Sequence, residues 1–166
     1  MNAGTGSETR AVNRTTVERK SDRELVVTRI FNGPAHIVFQ AWANPDLFKR
    51  WWAPKSFGLT ILSCEMDIRT GGTYRLEMGH PSSEKPMAFF GRYIEVIPHT
   101  RIAWTNDDGG EDGAVTTVTF EERNGETSVV LRELYPSKKA LDDAMALGST
   151  SGFVEQFDQL DALLAA

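Results

Sequence analysis

GFVEQFDQLDALLA, residues 152–165, is the stretch that decides the fold. Phe153, Phe157, Leu160 and Leu164 fall on one stripe at helical spacing, with Val154 beside it, so the segment reads as an amphipathic helix. A helix of this kind covers a band about 10 Å wide. What it must cover lies upstream, where the hydrophobic period is two rather than 3.6.

ELVVTRIF (24–31) is rich in β-branched residues and reads as a strand. In LTILSCEMDI (59–68), Leu62, Cys64, Met66 and Ile68 share one face and Ser63, Glu65 and Asp67 the other. TYRLEM (73–78) alternates in the same way after the Gly71-Gly72 turn. MAFFGRYIEVI (87–97) is apolar on both faces, with Gly91 marking a bulge or a close backbone approach. RIAWTND (101–107) places Ile102 and Trp104 together, before the acidic glycine-rich loop DDGGEDG (107–113). AVTTVTFEE (114–122) and ETSVVLREL (126–134) flank Asn124-Gly125, a strong hairpin signal.

Two short helices are expected after the first strand. Gly33-Pro34 opens PAHIVFQAWAN (34–44), and Asn44-Pro45 opens PDLFKRWW (45–52), with Asn44 as cap and Pro45 at the first helical position. Trp51 and Trp52 end that second helix, one expected in the core and one, Trp52, toward a cavity. SKKALDDAMAL (137–147) reads as a further helix before the terminal one. The fold class is therefore α+β: a curved antiparallel sheet of six to seven strands around a long C-terminal helix. Strands stand about 4.8 Å apart, so such a sheet is far wider than one helix and must curl to bury its apolar face. Curling leaves a hollow between sheet and helix.

Residues 1–22 are expected to be a flexible tail and 23–166 a single domain, with Thr15–Arg19 as an irregular edge strand the alternative. The net charge of −5 and the absence of a basic cluster argue against nucleic-acid binding. No run is long and apolar enough for a membrane span, and the N-terminus has no signal-peptide core. One cysteine permits no internal disulfide, which fits a cytoplasmic protein.

Four stretches carry a family resemblance: TRIFNGPAHIVFQAWANPDLFKRWW (28–52), DIRTGGTYRLEM (67–78), FGRYIEVIPHTRIAWT (90–105) and GFVEQFDQLDALLA (152–165). In order and spacing they resemble the AHSA1-like branch, named after the C-terminal domain of the activator of Hsp90 ATPase, within the START/Bet v 1-like (SRPBCC) superfamily. One departure is Phe153, where many relatives have tryptophan. The resemblance implies the helix-grip fold. It leaves function open among a carrier of small apolar molecules, a co-chaperone module in contact with a chaperone, and a cyclase- or hydrolase-type enzyme.

The residues themselves favour the first. His36, His80 and His99 show no ligand spacing, so no metal is expected, and no cofactor is implied. Cys64, on an apolar face, reads as a small buried hydrophobe. No nucleophile elbow or phosphate loop is present. The candidate cavity lining is Trp52, Met66, Tyr74, Leu76, Trp104, Phe120, Leu131, Phe153 and Phe157. Arg92 and Glu133, on strands of ambiguous alternation, are candidate polar groups, whereas Arg75 and Glu77 read as solvated. The expected partner is a small apolar or aromatic molecule, and the expected state a monomer or homodimer.

Overall fold

The computed structural model describes residues 15–148 and 151–165. Eight strands form one open antiparallel sheet in the order β1-β2-β8-β7-β6-β5-β4-β3. They are β1 (Thr16–Arg19), β2 (Glu24–Asn32), β3 (Thr60–Met66), β4 (Thr73–His80), β5 (Ser83–Ile97), β6 (Arg101–Thr105), β7 (Val115–Arg123) and β8 (Glu126–Leu134). Among the described residues four α-helices accompany them: α1 (Ala35–Ala43), α2 (Pro45–Phe48), α3 (Lys138–Ala146) and α4 (Phe153–Ala165). The sheet exceeds the expected six to seven strands because Thr16–Arg19 pairs with Leu25–Thr28 at the edge. The tail expected over residues 1–22 therefore does not reach that far, and its first fourteen residues lie outside those described.

Local chemistry sets the elements. Asn44 Oδ1 accepts from the Asp46 N–H at 2.9 Å and Pro45 opens α2. Ser137 Oγ accepts from the Ala140 N–H at 3.0 Å and starts α3. The β7–β8 hairpin turns through Asn124 and Gly125, both with positive φ, as the sequence requires.

Two bulges re-aim side chains. Leu62 drops out of the β3–β4 register, so Ile61 takes the inner position and Leu62 turns outward over Gly79, 57% exposed. That corrects the inner face read as starting at Leu62. Ile94 drops out of the β5–β6 register in the same way and is 48% exposed. Near this bend, β5 exchanges β4 for β6 as its partner. At Gly91 a Cβ would lie 2.0 Å from the Thr105 carbonyl oxygen, so the close approach there admits only glycine.

The buried residues form one contiguous core between the sheet and the helices. Helix α4 crosses β1 and β2, where Phe157 meets Phe31 edge-on at 5.6 Å. Phe120 meets Phe39 at 5.4 Å under α1, and Val118, Val129 and Leu131 are fully buried between them. Phe120, Leu131 and Phe157, expected to line a cavity, instead fill this packed region. Val154, expected beside the stripe, is 46% exposed, and Gln156 is buried in its place.

Candidate binding cavity

Toward the β3 edge of the sheet, inner-face residues of β3 to β6, with Thr116 of β7 and Glu133 of β8, border a gap. The segment after α2 and the start of α4 span the gap, leaving a cavity of about 470 Å³. Roughly 300–1,000 Å³ is the usual size of a small-molecule site. Trp52, Met66, Tyr74, Leu76, Trp104 and Phe153, named as candidates from the sequence, line it. Trp42, Phe48, Met78, Phe89, Tyr93 and Ile102 do so as well and escaped the sequence reading. Phe57, Met87 and Leu147 are exposed and form part of its mouth.

The tryptophan pair divides as follows. Trp51 is fully buried, and its Nε1–H donates to the Ala41 carbonyl at 2.9 Å. Trp52 is only partly buried, stacks on Phe48 at 4.8 Å and faces the hollow. Helix α4 fixes this arrangement through two glutamines. Gln159 Nε2 donates to the carbonyls of Trp51 and Ala53 at 2.8 and 2.9 Å, and Gln156 Nε2 to that of Trp52 at 2.5 Å. These carbonyls follow the last turn of α2 and find side-chain donors there.

The polar groups gather at one end. Along β8, Thr127, Val129 and Leu131 face inward, and Glu133 continues that parity. Its partner across the ladder, Thr116, is 1% exposed. Tyr135 Oη–H donates to Glu133 Oε1 at 2.8 Å, and Thr116 Oγ1–H to Oε2 at 3.4 Å. Asn106 Nδ2 donates to the Ala114 carbonyl at 2.7 Å and to Thr116 Oγ1 at 2.9 Å. Protein surrounds Glu133, and the accessible part of its side chain borders the cavity. Desolvation raises its carboxyl pKa, against the pull of the Tyr135 and Thr116 hydrogen bonds.

Tyr74 Oη–H donates to the Thr105 carbonyl at 2.7 Å, and burial holds the Tyr74, Tyr93 and Tyr135 phenols far up, so all three remain protonated. Arg92, the other polar candidate, is not in the cavity. Its strand parity turns it outward, where its Nε lies 3.5 Å from Asp107 Oδ2. Asp108 sits at the rim, its Oδ1 accepting from the Phe90 N–H at 3.2 Å. The sequence did carry a signal for Thr116 and Glu133: both are polar residues on an otherwise apolar parity.

Among the described residues no group of three His, Cys, Asp or Glu side chains converges on a metal position, and no helix is long and apolar enough to cross a membrane. Cys64 lies beside Met66, its Sγ 3.3 Å from the thioether sulfur, and desolvation raises its pKa.

An open antiparallel sheet holding a C-terminal helix, with short helices after the second strand, defines a helix-grip protein. Solved structures share this fold. A Rhodobacter sphaeroides protein superposes with a TM-score of 0.82 at 20% identity, over 92% of this chain and 98% of its own. A Mycobacterium smegmatis protein superposes with a TM-score of 0.76 at 25% identity, over 91% and 98%. The AHSA1-like protein from Aeromonas hydrophila does so with a TM-score of 0.65 at 20% identity, over 82% and 92%. The chain belongs to the Activator of Hsp90 ATPase homolog 1-like protein family, which matches residues 32–165. No curated protein matches it.

Proposed function

We propose that the protein binds a small apolar or aromatic molecule in this cavity. The observation that carries the proposal is a hollow of about 470 Å³ walled by Trp42, Trp52, Trp104 and Phe153, with polar groups gathered at one end. Apolar walls drive entry, and a few placed polar groups orient what enters. Cores normally pack without voids of this size. Membership of the family supports a binding role at the level of fold.

Native mass spectrometry and tryptophan fluorescence test the reading. Trp42, Trp52 and Trp104 wall the hollow and act as reporters, while Trp51 lies behind them. A panel of fatty acids, flavonoids and other polycyclic aromatics is expected to give saturable quenching at about micromolar concentration for at least one class. Trp104→Ala or Tyr74→Ala weakens it roughly tenfold or more. A silent panel together with no co-purified mass sinks the proposal.

A second reading, the chaperone contact described by the family name, has one observation in its favour. Phe90, Ile94 and Ile97 are exposed along β5, at 38%, 48% and 43%. It predicts measurable binding to a purified Hsp90 chaperone, lost when these three are changed to Ser.

A further inference from the structure

We infer that the cavity selects cationic ligands: an aromatic or apolar skeleton bearing one protonated amine, which pairs with Glu133. The inference rests on the binding role proposed above and adds the charge of the ligand.

The hydrogen bonds that lead to Glu133 have a direction. Asn106 Nδ2 faces the Ala114 carbonyl, which can only accept, so the nitrogen side of that amide is fixed. Its other hydrogen goes to Thr116 Oγ1, whose single proton then points to Glu133 Oε2. Tyr135 adds its own proton to Oε1. Thr116 therefore donates to Glu133, and a carboxylate there lets Tyr135 donate as well. The network runs one way and ends on an acceptor, the arrangement suited to a carboxylate rather than a neutral acid. A carboxylate offers about four lone-pair positions, and the two hydroxyls fill two. The remaining acceptor capacity belongs to a side chain that borders the hollow.

Among the described residues, no Lys, Arg or His lines the cavity, and the charged groups that do are Glu133 and Asp108. Glu133 forms no ion pair among the described residues, whereas the neighbouring outward-facing Arg132 is paired with Glu24 at 3.2 Å. A charge taken out of water is costly unless a counter-charge joins it. A ligand ammonium supplies that counter-charge. The aromatic walls add to it, since the faces of Trp42, Trp52 and Trp104 attract a cation.

The Asp107–Asp112 turn borders the cavity through Asp108 and Gly109, which form part of its edge, and it also carries Asp107, Glu111 and Asp112. Among the described residues, Asp107 has a salt-bridge partner, Arg92, and Asp108, Glu111 and Asp112 have none. An entrance lined by one sign of charge concentrates ligands of the opposite sign and repels its own. Fatty acids and other carboxylates meet this field at the rim and Glu133 at the end of the cavity.

Three probes with one ring system and different charge test the inference: 2-(2-naphthyl)ethylamine, 2-(2-naphthyl)ethanol and 2-naphthylacetate, titrated by calorimetry at pH 7 against wild type and Glu133→Gln. The expected order is amine, alcohol, acetate, with the amine at least about tenfold tighter than the alcohol. Glu133→Gln lowers amine affinity by roughly 10- to 100-fold, more than it lowers alcohol affinity, so the preference for the amine over the alcohol narrows or disappears. Equal affinity for the three, or tightest binding of the acetate, overturns the charge selection and leaves the binding role standing. Binding of none of them overturns both. If Glu133→Gln fails to fold, the order on wild type still decides.

Discussion

Pro45 has no N–H, so the Ala41 carbonyl, four residues before it, has no helical donor to accept from. Trp51 Nε1–H fills that place at 2.9 Å. Trp42, packed against Trp51 at 4.6 Å and equally buried, has no acceptor for its Nε1. The two indoles thus do different work at similar depth. Trp51→Phe should cost about 1–2 kcal/mol more than Trp42→Phe in urea unfolding, because only the first leaves a carbonyl unpaired. Glu133 gives a second residue-scale prediction. Burial raises its folded pKa above the ordinary 4.5. The folded state therefore holds that proton more tightly than the unfolded chain, and its contribution to stability is complete below 4.5. It is lost as pH rises through the raised folded value. Wild type should lose stability relative to Glu133→Gln across that window, with a slope no steeper than about 1.4 kcal/mol per pH unit, one proton's worth. Parallel thermal melts from pH 4 to 8 check this, and parallel curves for the two proteins would refute it.

At the scale of elements, α4 is held by more than its apolar stripe. Arg29, on the inner face of β2, is 5% exposed and reaches Asp158 at 2.6 Å and Asp161 at 3.2 Å on the helix. The aspartates keep considerable exposure, at 62% and 39% of their side-chain surface. Removing both partners leaves a buried cation, whereas removing the arginine leaves two solvated anions. Asp158→Asn with Asp161→Asn is thus expected to cost about 3–5 kcal/mol, and Arg29→Met less than about 2 kcal/mol. Amide exchange along α4 should quicken in the double variant. The sequence did not announce Arg29 as inward, because a charged residue in ELVVTRIF reads as solvent-facing even at an inner parity. The same limit explains the other departures. Alternation separates inside from outside, and it placed Met66, Tyr74, Leu76 and Trp104 correctly. It does not tell whether an inner position lies under a helix or over a hollow. Phe120 and Leu131 share that inner parity but are packed under helices, and Phe157, on α4 itself, faces Phe31 of β2. Leu62 was misplaced for a different reason: a bulge adds one residue, and nothing in the side-chain pattern marks where it falls.

At the scale of the whole molecule, the packed region and the cavity occupy different parts of one inner sheet face. Phe31, Val38, Val118, Val129 and Leu160 are buried on the first and do not border the second. Stability and binding should therefore be separable. Ala144, on α3 at the cavity, is partly buried and has open space on its cavity side. Ala144→Trp puts an indole where a ligand would sit, without displacing the core. It is expected to abolish ligand binding while moving the melting temperature of the empty protein by no more than a few degrees, roughly the effect of 1 kcal/mol in a domain of this size. Wild type, given an amine ligand at about 100 times its Kd, gains about 2.7 kcal/mol, or roughly 5–10 °C. Ala144→Trp should show no such gain. A variant that melts like wild type and still gains the full shift would place the ligand outside the cavity. A variant that melts far lower would mean that the hollow is part of the packed core, with its walls holding the sheet and α4 together.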